Sequence, residues 1–200
     1  VVRRYPEEFK IISLAAGKNS RLLSEQVKEF KPKIATQENE CDNLSKDTEY
    51  FFGKRAYTNA ICAEADIVVI ALVGFEGIIA VLDAIDKGKD IALANKESLV
   101  VGGELVMKRA KERNVKILPV DSEHSAVWQA LGFDFEKKFK RIILTASGGA
   151  FRDKTEKELF AVKAADALKH PNWNMGAKIT VDCATLVNKG FEVVEAKWLY

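Results

Sequence analysis

The chain has 200 residues, of which 48% are hydrophobic and 30% charged, and its formal net charge is +2. This length suits one large domain or two small ones with a sizeable core. A charge so close to zero, without a basic stripe interleaved with aromatic residues, excludes a typical nucleic-acid-binding protein. We therefore expect a small-molecule partner and no nucleic acid.

The apolar runs and the cysteines argue against further classes of protein. No apolar run reaches the roughly 20 residues that a membrane-spanning helix needs, so no membrane partner is expected. The cysteines Cys41, Cys62 and Cys183 show no CxxC spacing, which argues against a disulfide framework or a structural zinc site. A reducing compartment, most simply the cytoplasm, is therefore expected.

The first 120 residues alternate between short β-branched runs and helical patterns of ten residues or more. Such alternation predicts βαβ units, and hence a parallel sheet with helices on its faces. The predicted strands are 10–15, 66–71, 90–94 and 115–120, and the predicted helices are 20–30, 75–87 and 98–113.

The pattern changes after Gly132. A strand is predicted over 139–145, then a loop over 146–151, short helical pieces, and a helix from about Ala184 onward. The predicted fold class is α/β, with a Rossmann-like parallel-sheet domain followed by an α+β catalytic domain. We place these domains at 1–122 and 123–200.

Two carboxylates, Asp121 and Glu123, follow the strand pattern that ends at Val120. At strand spacing both side chains would point to one face and could hold Mg²⁺ or Mn²⁺, which prefer oxygen ligands. The alternative is a helix start, with Asp121 or Ser122 as the N-cap and Glu123 near the positive end of the helix. Spacing alone favours the helix start.

Two further polar segments can each be interpreted either as part of a binding site or as ordinary structure. The Gly148-Gly149 pair lets a backbone approach an anion closely, with the Ser147 hydroxyl as an added donor, or it is a tight turn. On a helix, Asn188 and Glu192 share a face that Lys189 borders, which suits a phosphate beside a metal-bound oxygen. The alternative is a solvated face with a Lys189–Glu192 ion pair.

The remaining candidate binding-site residues lie near predicted strand ends and in one long loop. Lys96 and Glu97 stand where a predicted strand passes into a helix, the edge at which ligands bind in open α/β sheets, or they only start that helix. A Lys at position 18 would favour a cofactor 2′-phosphate, although this signal is weak.

The loop over 170–176 suits an active-site lid or a loop anchored by a buried Trp. His124 and the cysteines form no convincing nucleophile-and-base set, so a Cys or Ser hydrolase is not expected.

Taken together, five stretches resemble one family, the 1-deoxy-D-xylulose 5-phosphate reductoisomerases, in order along the whole chain. Long motifs in register are far more specific than any single one. The stretches are 93–99 (LANKESL), 120–126 (VDSEHSA), 145–152 (TASGGAFR), 170–180 (HPNWNMGAKIT) and 188–198 (NKGFEVVEAKW).

This resemblance implies an NADPH- and divalent-metal-dependent enzyme that converts 1-deoxy-D-xylulose 5-phosphate to 2-C-methyl-D-erythritol 4-phosphate in non-mevalonate isoprenoid synthesis. The cation would be Mg²⁺, Mn²⁺ or Co²⁺, and it would polarise the substrate carbonyl. The resemblance also implies a homodimer, in the bacterial cytoplasm or a plastid-type organelle.

The resemblance assigns roles residue by residue. The implied catalytic residues are Lys96, Asp121, Glu123, His170 and Glu192, of which Asp121, Glu123 and Glu192 would ligate the metal. The implied substrate-binding residues are Ser122, Ser147, His170, Trp173, Cys183, Asn188 and Lys189, with Trp173 and Met175 in a closing lid. The implied cofactor-binding residues are Gly17, Lys18, Asn19, Asn95, Glu97, Met175 and Gly176.

Two departures from the family pattern qualify these expectations. Cys183 stands where the family has a phosphate-contacting Ser, and a thiol is the weaker donor, so weaker substrate affinity is expected. The chain begins at Val1 without Met and ends at Tyr200 inside a helical pattern, so we expect an internal part of a longer protein. The family's Gly-rich nucleotide-binding turn and C-terminal helical domain would lie outside it, leaving the chain alone with weak NADPH binding and little or no turnover.

Two alternatives remain. Another NADP-dependent sugar-phosphate oxidoreductase would reduce its substrate without rearrangement and would not need Glu192. An inactive fragment that acts only as a binding module would hold no competent metal site.

Overall fold

The protein is described by a computed structural model covering residues 1–40, 45–62 and 64–200, so Cys41 lies outside the described residues. These residues form six strands, eight α-helices and a 3₁₀ turn at Ala56–Ala60. The strands are β1 Ser13–Ala15, β2 Ile34–Gln37, β3 Glu49–Phe52, β4 Ile67–Ile70, β5 Asp90–Leu93 and β6 Ile117–Pro119. The helices are α1 Ser20–Phe30, α2 Gly77–Asp86, α3 Glu97–Glu112, α4 Ser122–Ala130, α5 Glu156–Leu159, α6 Ala164–Ala167, α7 Ala177–Ala184 and α8 Val187–Leu199.

Strands β1, β2 and β3 form one parallel sheet, in that order. Helix α1 packs against it through Leu23 and Val27, which are four residues apart and therefore share one helix face. Both residues contact the core around Ala35 of β2. The Asn19 side chain accepts a hydrogen bond from the Leu22 amide and so begins α1 at the predicted position.

Strands β4, β5 and β6 form the second sheet, in that order. The Ile91 amide donates to the Lys116 carbonyl, and the Val120 amide donates to the Leu93 carbonyl. From the first bond to the second, the residue number rises in both strands, so β5 and β6 pair in parallel. Parallel sheets joined by helices confirm the predicted α/β class.

The chain divides into two compact units. The first contains Val1–Ile70, Ile79–Ala92 and Lys108–Lys116. The second contains Ala71–Ile78, Leu93–Met107 and Ile117–Tyr200. The sequence boundary at residue 122 stays a prediction.

Several predicted elements differ from the structure. The strand predicted over 139–145 is wrong, because these residues form no strand and Ile143 is 71% exposed. An apolar run becomes a strand only where a partner strand accepts its backbone hydrogen bonds. The helix predicted from about Ala184 onward begins at Val187, because Leu186, whose φ of 61° is left-handed, separates it from α7. Strands β2 and β3 were not predicted, because Thr36 and Gln37 interrupt the apolar pattern although both are buried.

Within the described residues, no helix combines the length and the apolar character needed to cross a membrane.

Candidate active site

Three carboxylates from two separate segments converge in the second unit. Asp121 and Glu123 stand at the start of α4, and Glu192 lies in the middle of α8. One oxygen from each carboxylate lies within 4.8 Å of the others. The three residues that the family resemblance implies as metal ligands are therefore side by side.

Asp121 and Glu123 reach this position through the helix start rather than through strand spacing. Strand β6 ends at Pro119, and Asp121 is the N-cap of α4, its Oδ1 accepting from the Ser122 amide at 3.0 Å. Glu123 lies in the first helical turn, where the helix dipole favours a negative charge. The strand-spacing argument was wrong, but the helix start and the carboxylate cluster are both present.

Lys96 lies among the carboxylates. Its Nζ lies 2.6 Å from Asp121 Oδ2, an ion pair without good hydrogen-bond geometry, and it donates to Glu192 Oε1 at 3.0 Å. It also donates to Asn188 Oδ1 at 2.9 Å. The Lys96 side chain is only 9% exposed and that of Glu192 only 1%. This buried cation offsets part of the charge of the cluster.

Lys189 joins the other two acids. Its Nζ lies 3.2 Å from Glu123 Oε1 and is hydrogen-bonded to Glu192 Oε2. Asn188 donates from Nδ2 to Glu192 Oε1 at 2.6 Å, and Ser122 donates from Oγ to Glu123 Oε2 at 2.7 Å. The Lys189–Glu192 pair exists, but it belongs to a buried cluster rather than to a solvated helix face.

Neighbouring groups shift the pKa values of Lys96, Lys189 and Glu123 and so determine their charges. Burial alone would lower the pKa of Lys96, but the hydrogen bonds and charges of Asp121 and Glu192 outweigh it, so the pKa is raised. The pKa of Lys189 is raised in the same way by Glu192 and Glu123. Burial would raise the pKa of Glu123, but bonds from Ser122 and Lys189 lower it. Both lysines are therefore cations and Glu123 an anion near neutral pH.

A cavity of about 570 Å³ opens beside the carboxylates. It contains most of the predicted catalytic and substrate-binding side chains, together with five residues to which the resemblance assigned no role. The predicted residues that line it are Lys96, Asp121, Ser122, Glu123, Ser147, Trp173, Met175, Cys183, Asn188, Lys189 and Glu192. The others are Thr145, Ala146, Gly148, Ile179 and Leu186.

His170 reaches this cavity through Ser147. Its Nδ1 accepts from the amides of Asn172 and Trp173, so in the neutral ring the proton lies on Nε2. That Nε2 lies 3.2 Å from Ser147 Oγ, to which it can donate. Trp173 is 64% exposed, so the alternative of a loop anchored by a buried Trp is wrong.

Loop 146–149 is held closely against α7. Gly149 has a φ of +68°, and a Cβ there would lie within 2.7 Å of the Ala184 Cα and closer still to the Cys183 carbonyl group. Only glycine fits this conformation and this approach. The Cys183 thiol lines the cavity, and burial raises its pKa, so it is a neutral thiol there.

The predicted cofactor residues fall in both units. Gly17, Lys18 and Asn19 follow β1 in the first unit, where Lys18 pairs with Glu38 at 3.8 Å. Asn95 and Glu97 follow β5 in the second unit and are joined by a 3.2 Å hydrogen bond. The other two are Met175, which lines the cavity, and Gly176, the N-cap of α7.

The sequence reasoning missed a buried extension of the cluster around Glu195. Glu195 and His124 have no measurable exposure, and one ligand atom of each lies within 4.8 Å of an Asp121 oxygen. Burial, and then the Asp121 charge, raises the pKa of Glu195 to about 8. Polar residues at 188, 192 and 195 follow the spacing of one helix face, a signal that could have identified Glu195.

Comparisons with known proteins identify the family of the chain. The sequence model of the 1-deoxy-D-xylulose 5-phosphate reductoisomerase family matches residues 1–103. The model of the C-terminal domain of the same reductoisomerase matches residues 117–200. The chain belongs to the 1-deoxy-D-xylulose 5-phosphate reductoisomerase family.

Relatives in this family match over the whole chain. The 1-deoxy-D-xylulose 5-phosphate reductoisomerase of Caldanaerobacter subterraneus subsp. tengcongensis is 50% identical, and the match covers 100% of this chain and 54% of that protein. The enzyme of that name from Listeria monocytogenes is 46% identical over the same shares. The chain thus spans about half the length of the curated relatives it matches.

Solved reductoisomerase structures share the fold. A DOX-P reductoisomerase in complex with NADPH, fosmidomycin and magnesium has a TM-score of 0.86 and 37% identity, covering 100% of this chain and 53% of that one. The Zymomonas mobilis 1-deoxy-D-xylulose 5-phosphate reductoisomerase in complex with NADPH has a TM-score of 0.84 and 36% identity, covering 99% and 53%.

Proposed function

We propose that this chain supplies the NADPH-binding and central catalytic part of an enzyme that converts 1-deoxy-D-xylulose 5-phosphate to 2-C-methyl-D-erythritol 4-phosphate. The observation that carries the proposal is the convergence of Asp121, Glu123 and Glu192 beside a cavity that also contains Lys96 and Lys189. Family relatives crystallised with NADPH, fosmidomycin and magnesium support it.

A divalent cation would be held by the three carboxylates, with Mg²⁺, Mn²⁺ and Co²⁺ as candidates. The donor set fits such an ion, because all three side chains offer oxygen atoms within 4.8 Å of one another. When bound, the cation supplies Lewis-acid polarisation of a substrate carbonyl. Lys96 and Lys189 pair with these oxygens, so once a cation neutralised the carboxylates, more of their positive charge would act on the substrate.

Lys96 acts in this proposal as a cation rather than as a base. Its raised pKa keeps the proton on Nζ at neutral pH. An ammonium fixed at the edge of the cavity stabilises negative charge that develops on a substrate oxygen during rearrangement and reduction. Its burial beside Glu192 holds it in place before substrate binds, which avoids reorganisation cost.

The substrate phosphate would bind at the other side of the cavity. Ser147, Asn188 and Lys189 offer a hydroxyl, an amide and an ammonium there, and Cys183 adds a thiol. His170 holds Ser147 through Nε2, and it would contact the substrate. Ser122 would contact the substrate backbone, and Trp173 would cover the bound substrate and exclude water as part of a lid.

The proposed NADPH contacts follow strands β1 and β5 or lie in the loop over 170–176. Gly17, Lys18 and Asn19 follow β1, where a lysine suits the 2′-phosphate that distinguishes NADPH from NADH. The proposed remaining contacts are Asn95, Glu97, Met175 and Gly176. The cofactor supplies the hydride, and these residues orient it.

The remaining parts of the proposal concern the whole protein. We place it in the bacterial cytoplasm, because the similar curated reductoisomerases come from bacteria; a plastid-type organelle is the alternative. We also propose a homodimer, on the basis of family membership. Sedimentation equilibrium of a protein that contains this chain gives its mass, and a monomer mass would contradict the dimer.

The test of the function is oxidation of NADPH by a protein that contains this chain. Activity should require both 1-deoxy-D-xylulose 5-phosphate and Mg²⁺ or Mn²⁺, and the product should be 2-C-methyl-D-erythritol 4-phosphate. The Glu192→Gln variant should be inactive. Activity that survives Glu192→Gln, or a reduced but unrearranged product, would instead favour another sugar-phosphate oxidoreductase.

A further inference from the structure

We infer that Lys178 is a positioning residue for the NADPH site, tying helix α7 to the start of α3 and neutralising Glu97. This inference rests on the proposed function, because it takes Glu97 as an NADPH contact. Lys178 lies within the stretch 170–180, but neither the residue roles implied by the resemblance nor the proposed reaction assigns it a part.

The contacts of Lys178 join two segments of the second unit. Its Nζ lies 2.7 Å from Glu97 Oε1 and donates to Asp182 Oδ2 at 2.6 Å. Each acid is a chain neighbour of a cavity residue, since Glu97 follows Lys96 and Asp182 precedes Cys183. One ammonium therefore links the segments that carry two walls of the cavity.

The surroundings make this link more than a surface ion pair. The side chains of Glu97 and Asp182 are each only 18% exposed, and that of Lys178 is 40% exposed. The ammonium also lies 5.2 Å from the centre of the Phe191 ring on α8, a cation–π contact. Burial would lower the pKa of Lys178, but the bonds to Asp182 and Glu97 outweigh it and raise it.

The link continues beyond Glu97. Glu97 Oε2 accepts from Asn95 Nδ2 at 3.2 Å. The same Nδ2 donates to the carbonyls of Leu72 at 2.7 Å and Gly74 at 2.9 Å, which follow β4. Two loops at strand ends, where a cofactor binds in an open α/β sheet, are thus connected to α7 through Lys178.

Loss of the ammonium has a defined electrostatic result. Two carboxylate oxygens now lie within 2.7 Å of one nitrogen, and without it they would repel each other. Glu97 would then present an uncompensated negative charge to an anionic cofactor. The carboxylates at 121, 123 and 192 have no ion pair with Lys178, so a cation held there should not sense the change.

The experiment compares Lys178→Met, Lys178→Arg and Lys169→Met in a protein that contains this chain. Lys169 serves as the matched control because it forms an exposed ion pair with Asp166 on α6. The dissociation constants of NADPH and of Mn²⁺ are measured for each variant, together with the thermal midpoint.

We expect Lys178→Met to weaken NADPH binding about tenfold, as for a lost charge-assisted contact, with Mn²⁺ affinity within about twofold of wild type. Lys178→Arg should restore NADPH affinity, because it returns the charge. Unchanged NADPH affinity in Lys178→Met, or an equal loss of NADPH and Mn²⁺ affinity, would overturn the inference.

The same measurements separate this inference from the proposed function. A wild-type protein that binds neither NADPH nor Mn²⁺ contradicts the proposed function and the inference with it. If Lys178→Met fails to fold, the Lys178→Met/Asp182→Asn variant replaces it, because it removes the repulsion but leaves Glu97 without its cation. This double variant should still bind NADPH weakly, and full NADPH affinity in it would overturn the inference.

Discussion

The ammonium nitrogen of Lys96 lies 3.0 Å from Oε1 of Glu192, although the two residues are 96 positions apart in the sequence. Both side chains are almost fully buried, and each has other partners of opposite charge or complementary polarity. This contact joins the segment after β5 to the middle of α8. A divalent cation bound as proposed would therefore compete with Lys96 for the same carboxylate oxygens.

The first prediction follows from that competition. Lys96→Met leaves Asp121 and Glu192 without their buried cation, so the free energy of unfolding should fall by about 3–5 kcal/mol in EDTA. Added Mn²⁺ should restore more stability to the variant than to the wild type, because the ion then has no competitor. Urea unfolding with and without Mn²⁺ measures both effects.

Lys169→Met is the control for this experiment, since Lys169 is exposed and pairs with Asp166 instead. Its stability and its response to Mn²⁺ should match the wild type. A Lys96→Met protein that gains no more from Mn²⁺ than the wild type does would show that lysine and metal do not share these ligands.

The second prediction concerns pH. Glu195 has a pKa of about 8 in the folded protein against an ordinary value of 4.5, so between these values the folded state binds more protons than the unfolded state. Stability should therefore fall as pH rises, by up to about 1.4 kcal/mol per pH unit. Burial lowers the pKa of His124 below its ordinary 6.5, which has the opposite sign but acts only below that pH.

The clean window is therefore pH 6.5 to 8, measured by urea unfolding in EDTA. Glu195→Gln should flatten the slope in this window. Glu158→Gln is a matched control, because Glu158 is exposed and its lowered pKa acts only at acidic pH. A slope that persists in Glu195→Gln would assign the titration to another group.

The third prediction tests the close contact between loop 146–149 and α7. Gly149→Ala should lower the free energy of unfolding by about 3 kcal/mol or more, because the new Cβ meets backbone atoms at positive φ. Gly132→Ala has a similar φ of +74° but open space around the Cβ, so it should cost only about 1–2 kcal/mol. Equal losses in denaturant unfolding would mean that the contact with Cys183 and Ala184 contributes nothing.

The fourth prediction concerns the thiol in the cavity. Cys183→Ser replaces a weak donor by a hydroxyl, so affinity for inorganic phosphate should rise about threefold to tenfold. Isothermal titration calorimetry measures this affinity. Cys62→Ser, in the first unit, should leave it unchanged. No gain in Cys183→Ser would show that the side chain at 183 does not face the phosphate.

Local sequence patterns predicted much of the fold but not all of it. Helix α1 has the bounds predicted for it, 20–30, and its Asn19 cap and the Leu23–Val27 spacing are local features of the sequence. The run over 139–145 has the same β-branched character as true strands, yet no partner strand pairs with it. Pairing is a tertiary property, and a single sequence does not contain it in readable form.

The candidate site, too, was predictable from local sequence patterns only in part. On spacing alone, Asp121 was better explained as a helix cap, and it is one. Its proposed role as a metal ligand also needs Glu192. The packing of α4 against α8 brings Glu192 close to Asp121. Family motifs supplied that long-range information, whereas the motifs that include Lys178 and Glu195 did not reveal the contacts of these two residues.

The final prediction tests the metal site itself. Mn²⁺ titration of a protein that contains this chain, followed by electron paramagnetic resonance, should give one ion per chain. Glu192→Gln should weaken its binding by at least about tenfold. Glu156→Gln, an exposed residue of α5, should bind as the wild type does. If the wild type binds no Mn²⁺, or if Glu192→Gln and Glu156→Gln bind it equally well, the three carboxylates are not a metal site and the proposed function fails.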